Sequence, residues 1–318
     1  MASGADNRPR QPRVSQKKEG RHYARVNVLL LTFYHHDQGD DLDDETEHVK
    51  EAFEMLNYTV SEEEIRMKHS LAELEVVLER FLPKEECKDT LFIIYYHGHG
   101  YLRPADDEFT IFSHNHPSSR DLQRQVTEFW DKIDNIFQEN FRGSRSDAWE
   151  GYREEFGDLQ DIAEIAWRDI NRPIMASQCD TLVVLDCCNA GLASAMAQDG
   201  PDPEHNFRKE LLGACTWGNE TEDRMSQALC KVLSEIHQAD GISTLVRKMN
   251  NILVRSFVAN TRRTRDREQV VPQAVHYVLR RTAAERIILP RLRAPARRPL
   301  RRTHSAADIG DRRDTGDI

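Results

Sequence analysis

No apolar run in this 318-residue chain approaches the ~20 residues that a membrane-spanning helix needs, which argues against a helical membrane protein. The first 25 residues lack the apolar centre of a secretory signal, and the six cysteines show neither metal-type nor disulfide-type spacing. Together these absences predict a reducing, cytoplasmic setting and no membrane partner. The acid-dense segment from Asp40 to Glu47 does not fit a D-x-[DN]-x-[DN]-G calcium loop, and no internal repeat is present. Interleaved aromatics are missing from the basic ends, which argues against nucleic-acid-binding arms.

What is present divides by charge. The chain carries a net −10, but residues 1–25 are at +5 and residues 291–318 at +4, so the body between them is at −19. Both ends are polar, Arg-containing and without apolar periodicity, and are expected to be disordered. The organisation expected is a basic arm over 1–25, one folded domain over 26–290 and an Arg-rich tail over 291–318.

Within the domain, Val26 to Phe33, Leu91 to Tyr96 and Leu182 to Leu185 are short, largely apolar runs, the last two unbroken, the pattern of strands covered on both faces. Between the first two, Val49, Phe53 and Leu56 mark an amphipathic helix. A second follows, with Ser70 and Glu73 as a capping box and Leu71, Leu74, Leu78 and Phe81 on one face. Tyr34 to Asp44 reads as a loop. Its acids, with those to Glu47, either favour the helix N-terminus or line a pocket for a basic side chain. The alternation of buried strands and helices predicts an α/β fold with a mostly parallel sheet.

Downstream, Glu108 to Phe112 reads as part of a hairpin and 117–170 as a helical insertion, one helix carrying Leu122 to Phe137 and another Tyr152 to Ile170. Ala195 to Asn206 is breaker-rich and reads as an exposed loop. Leu211 to Cys215, Ala274 to Leu279 and Ile287 to Leu289 read as strands, and Met225 to Ile236 and Ile242 to Leu253 as helices.

Two of the buried strands end in reactive residues. Leu91–Tyr96 runs into His97-Gly98-His99-Gly100, and Leu182–Leu185 into Asp186-Cys187-Cys188-Asn189-Ala190-Gly191. The carboxyl ends of strands are where open α/β sheets hold their ligands, and a thiol nucleophile needs an imidazole within reach. A zinc site from His97, His99, Cys187 and Cys188 is the other chemistry these residues suggest. It fits less well, because alternate residues of an extended segment face opposite ways and adjacent cysteines rarely close one tetrahedron.

Tyr-Tyr-His-Gly-His-Gly and Leu-Asp-Cys-Cys-Asn-Ala-Gly resemble the two catalytic motifs of the caspase and metacaspase clan of cysteine peptidases, most of all the fungal caspase-like group. The resemblance extends from the strand near Val26 to Arg286–Leu289. It implies a three-layer αβα sandwich and a cysteine endopeptidase that needs no cofactor and acts on proteins or peptides. It also implies roles: His99 is the base, Cys188 rather than Cys187 the nucleophile, and the backbone N–H groups of Gly100 and Cys188 the oxyanion donors. Asp186 matches the family's acidic residue two before the nucleophile. A carboxylate there implies a pocket for Arg or Lys at the residue before the cut (P1), with Arg208 and Lys209 as a processing site beside the exposed loop. Two departures stand out: His97 replaces a small residue and is a second candidate base, and Asn189-Ala190 replaces the usual His-Ser or Arg-Gly. His99 and Cys188 lie 89 residues apart against about 50 in caspases, a difference the helical insertion absorbs. An inactive caspase-like adaptor is the alternative within the same fold.

Overall fold

The computed structural model describes residues 21–34, 36, 40–66, 69–103, 108–113, 163–196, 206–214, 225–236, 240–261, 273–282 and 286–293. Most of the two basic ends and residues 117–162 of the expected helical insertion lie outside these.

In chain order the first half runs β1 (Arg25–Phe33), α1 (Asp40–Glu54), β2 (Thr59–Ile65), α2 (Ser70–Phe81), β3 (Cys87–His97), β4 (His99–Arg103), β5 (Glu108–Phe112) and β6 (Glu164–Ala166). The second half runs α3 (Trp167–Ala176), β7 (Cys179–Asp186), a 3-10 helix (Ala190–Met196), β8 (Lys209–Gly213), α4 (Met225–Ser234), β9 (Asp240–Gly241), α5 (Ile242–Thr261), β10 (Val275–Arg280) and β11 (Ile288–Leu289).

The three apolar runs become β1, β3 and β7 because their side chains are buried on both faces. Even-numbered β1 residues Val28 and Leu30 join Ile93, Tyr95, Leu182 and Val184 in one core, under Val49 and Phe53 of α1, Leu229 and Val232 of α4, and Leu245 and Met249 of α5. The alternate residues Leu29, Leu31, Ile94, Tyr96, Val183 and Leu185 face a second core with Leu74 and Leu78 of α2 and Trp167 and Ile174 of α3. Burying each such side chain contributes about 1.5–3 kcal/mol, so the two apolar layers fix the strand register. The result is a three-layer αβα sandwich around one six-stranded sheet of order β10-β8-β7-β3-β1-β2. Five strands are parallel, and only β10 runs antiparallel to its neighbour β8. Smaller sheets form from β4-β5-β6 and from β9-β11.

Because β1 is followed outward by β2 and the chain then crosses to β3 on its other side, the strand order reverses between β1 and β3. The crevice beyond the carboxyl ends of the central strands is where such a reversal opens a binding site. β3 and β7, the two motif-bearing strands, are adjacent and parallel there, ending with His97 opposite Asp186.

Several local expectations are corrected. A strand, β2, intervenes between the first two helices. The Ser70–Glu73 capping box does not form: the residue before α2 is His69 at φ 58°, with no side-chain cap bond, and Ser70 is buried inside the first turn. α1 begins at Asp40, inside the expected loop. Ala163 to Ile170 is not the end of an inserted surface helix. Glu164–Ala166 pairs with β5, and α3 starts at Trp167 as part of the second core. β8 starts two residues earlier than Leu211.

Candidate active site

Beyond the last β3–β7 pair both chains turn sharply. Gly98 adopts φ +152°, and a Cβ there would come within 2.6 Å of the Tyr96 hydroxyl, so only glycine fits; its N–H donates to the Asp186 carbonyl at 3.3 Å. The chain then reverses into β4, whose first residue, His99, pairs with Phe112 of β5. The backbone of His99 is fixed from below by the buried Tyr96 hydroxyl, which donates to the His99 carbonyl at 2.9 Å and to that of Phe112 at 3.3 Å. Its imidazole stacks on the Phe112 ring with centroids 5.1 Å apart and planes 23° from parallel. The half-buried histidine is thus held by both backbone and ring.

The cysteine turn meets this histidine turn directly. A Cβ on Gly100 would lie 2.6 Å from the Cys188 carbonyl oxygen and 2.8 Å from the Cys187 sulfur, so the backbone of 100 rests on the Cys188–Asn189 peptide and the Cys187 side chain. Asn189, at φ 58°, bends the chain straight after Cys188, a conformation asparagine tolerates, and its side-chain amide donates to the Gly100 carbonyl at 3.4 Å. The 3-10 helix that follows is tied down by the Leu192 N–H to the Asn189 carbonyl at 2.9 Å and by the Trp167 indole N–H to the Ala193 carbonyl at 3.1 Å. The two cysteines differ: Cys187 is 2% exposed inside the second core, whereas Cys188 is half-buried at the turn. His99, Gly100 and Cys188 are therefore brought to one edge, through Gly98 to Asp186 on one side and Gly100 to Cys188 on the other.

The opposite face of the same strand ends holds a polar cluster that sequence reading missed. Asp186, 7% exposed, accepts a hydrogen bond from the buried Tyr95 hydroxyl at 2.8 Å. Burial, and then the Asp186 charge, push the Tyr95 hydroxyl well above its ordinary range, so it stays a donor. His97 is buried beside them. Its Nδ1 lies 3.1 Å from the Thr46 hydroxyl and its Nε2 3.6 Å from Glu45, whose carboxylate also accepts from the Ser226 hydroxyl at 2.7 Å. His97 is thus bound to α1, on the α1/α4 side of the sheet, away from the second core that holds Cys187. The signal available in sequence was that the period-2 alternation of β3 places His97 with Tyr95 rather than with Tyr96. Cys230 of α4 lies near this cluster; burial first, then Asp186, push its thiol up to about 11, so it is a poor thiolate at neutral pH.

Among the described residues no group of three or more His, Cys, Asp or Glu side chains is placed to hold a metal ion, and the zinc alternative gains no support. Nor is any helix among them long and apolar enough to cross a membrane.

Arg208 and Lys209 do not form the exposed segment expected of a processing site. Lys209 is 0% exposed, in the central sheet, its ammonium donating to the Ser177 carbonyl and hydroxyl at 3.1 and 2.6 Å, the Cys179 carbonyl at 2.6 Å and the Thr181 hydroxyl at 3.0 Å. The Arg208 N–H donates to Asp180 at 2.7 Å and its guanidinium pairs with the buried Glu210. A strand pinned in this way cannot enter a peptidase cleft without leaving the sheet.

The fold and the paired turns together define an αβα sandwich with a histidine and a cysteine at the carboxyl edge of its central strands. Among solved structures the chain is similar to the Drosophila initiator caspase Dronc, with 9% identity, a TM-score of 0.46 and 87% of each chain covered. It is also similar to caspase-1 from Spodoptera frugiperda, with 10% identity, a TM-score of 0.45 and 88% of this chain and 94% of that one covered. For the structure of pro-sf-caspase-1 the figures are 13%, 0.41, 84% and 95%. No protein-family model matches the chain, and no curated protein matches it in sequence.

Proposed function

We propose that the chain is a cysteine endopeptidase of the caspase and metacaspase type with a preference for Arg or Lys at P1. The observation that carries this reading is the contact between the two motifs, in which Gly100 rests on the Cys188 carbonyl and the Cys187 sulfur, which brings the chain at His99 and the chain at Cys188 to one edge. In the proposed reaction the Cys188 thiolate attacks the scissile carbonyl while the N–H groups of Gly100 and Cys188 bind the developing oxyanion. His99, as imidazolium, gives its proton to the leaving amine, and the acyl group stays on sulfur as a thioester. Neutral His99 then takes a proton from water as the hydroxide equivalent attacks the thioester, and the thiolate and the new carboxylic acid are released.

The basic preference is supported by Asp186 at the end of β7, two residues before Cys188, and by Glu45 across His97. An acidic side chain entering there meets like charge, and an Arg meets a partner suited to bidentate bonding. One observation favours the competing reading, an inactive caspase-like signalling module: Asp186 already bonds Tyr95 and is nearly buried, so substrate binding requires that cluster to open. Hydrolysis of paired fluorogenic peptides, Arg-P1 and Asp-P1, by the wild-type chain and by Cys188→Ala separates the readings. Turnover of the Arg-P1 peptide that disappears in Cys188→Ala supports a basic-specific peptidase; no Cys188-dependent turnover of either peptide supports the module.

A further inference from the structure

One of the two outermost strands of the sheet, β2, has β1 on one side and no strand on the other among the described residues. Its sequence, Thr-Val-Ser-Glu-Glu-Glu-Ile, puts three successive glutamates along that open edge. At its carboxyl end lies a cleft of about 250 Å³ lined by Asp43, Thr46 and Glu47 of α1 and by Glu62, Glu63 and Glu64, above Leu30 and Thr32. Lys50 bridges Glu47 and Glu62, Arg80 pairs with Glu63, and His36 lies 3.5 Å from Asp43, which leaves the cleft with an excess of carboxylates over cations.

The chain itself delivers a complementary segment to the foot of this strand. The Leu292 N–H donates to the Leu56 carbonyl at 3.0 Å, the Asn57 side-chain amide donates to the Leu292 carbonyl at 2.8 Å, and the Tyr58 hydroxyl donates to the Pro290 carbonyl at 2.8 Å. Residues 290–292 are thereby laid against the turn that opens β2, and Leu292 packs on the first core. Beyond them come Arg297, Arg298, Arg301 and Arg302, with no acidic residue before Asp308. The N-terminal arm is placed differently: Arg21 and Tyr23 bind Asp180 of β7, three strands away from β2.

We propose that residues 294–302 dock along the open edge of β2 in the same molecule, as an added strand whose arginines meet Glu62, Glu64 and the acidic cleft. The reach fits. Glu62 to Glu64 stand four to six residues beyond Tyr58, and Arg297 and Arg298 stand five and six beyond Leu292, at the same ~3.3 Å per extended residue. Pro295 and Pro299 are four residues apart, so a single register turns both of their missing N–H positions away from β2, as an outermost strand tolerates. Main-chain bonds to an open edge supply affinity in such pairings, and the side chains supply selectivity. The simpler role of the glutamates is to guard the edge against pairing with anything.

Amide hydrogen exchange of the full chain, in a Cys188→Ala background that removes self-cleavage, decides between them. Docking predicts slowed exchange in both 59–66 and 294–302 at low salt, lost at about 0.5 M salt. Replacing Arg297, Arg298, Arg301 and Arg302 by Glu is expected to speed exchange over 61–65 about tenfold, as loss of a few exposed ion pairs allows. Adding Glu62→Arg and Glu64→Arg to that tail restores protection, while exchange in β3 stays constant as the control for folding. Identical exchange over 61–65 in all variants overturns the proposal and leaves the glutamates as guards. Protection that grows with protein concentration overturns it too, because the occupant is then a second copy.

Discussion

Gly100 lies against the Cys188–Asn189 peptide so closely that a Cβ on residue 100 would sit 2.6 Å from the Cys188 carbonyl oxygen. The atom it would strike is backbone, which cannot swing aside as a flexible side chain can. Gly100→Ala must therefore push the histidine turn away from the cysteine turn. The expected outcome is a fall in kcat of about 10²–10³, the cost of displacing an oxyanion donor, with KM little changed. Steady-state kinetics on an Arg-P1 peptide check this, and an unchanged kcat means that the two turns do not act together.

His97 and His99 differ by two residues and belong to different parts of the molecule. His99 stands at the meeting of the two turns, so His99→Ala is expected to abolish peptide hydrolysis. His97 is buried against Thr46 and Glu45. Its loss leaves Glu45 without that neighbour, and His97→Ala is expected to cost about 1–3 kcal/mol of stability while sparing a measurable part of the activity. Denaturant unfolding together with kinetics checks both; an inactive but fully stable His97→Ala protein would reverse the assignment.

For Asp186 the expectation is a change of selectivity. Asp186→Asn removes the charge while keeping an acceptor for the Tyr95 hydroxyl. The ratio of kcat/KM for Arg-P1 over a neutral P1 is expected to fall by about 10–10³, the range lost when a charged hydrogen-bond partner is removed. Tyr95→Phe keeps the charge and should retain the preference. A ratio unmoved by Asp186→Asn places the specificity pocket elsewhere.

Lys209 makes stability depend on pH in an alkaline window. Burial pulls its pKa down to about 8 from 10.5. Below pH 8 the side chain is charged in both states, and the folded state bears the whole desolvation cost. Between pH 8 and 10.5 the folded chain holds a neutral amine while the unfolded chain still binds the proton, so folding gains stability as pH rises. Relative to Lys209→Met, the wild-type chain is expected to gain on the order of 3 kcal/mol across that window. Denaturant titrations at pH 7, about 9 and about 10.5 measure it. A difference that does not vary with pH means that the lysine is already neutral, or solvated, at pH 7.

The parts of this fold that could be read in sequence are those where one local signal decides the outcome. β1, β3 and β7 are apolar on both faces because helices cover both faces, and their apolar runs, without period-2 alternation, show it. The two motif turns were legible for a related reason, since each follows such a strand. β2 was not, because an edge strand with Ser-Glu-Glu-Glu has no apolar period and owes its pairing to β1. Ser70 and Glu73 carry the letters of a capping box, yet Ser70 is buried and His69 takes the cap position, a tertiary choice that outweighs a local bond. Lysine in sequence suggests an exposed side chain, and the oxygens of Ser177, Cys179 and Thr181 that solvate Lys209 lie 28 to 32 residues earlier. The same holds for the acids of α1. Only the fold sends Glu45 to His97, and Asp43 and Glu47 to the cleft beside β2.

The central claim is that Cys188, served by His99, is the nucleophile, and labelling with an Arg-P1 acyloxymethyl ketone peptide tests it most directly. Peptide mapping by mass spectrometry after brief exposure is expected to find the adduct on Cys188 in the wild-type chain and in Cys187→Ala, and to find almost none in His99→Ala. An adduct on Cys187 or Cys230, or equal labelling of Cys188 with and without His99, would contradict the account.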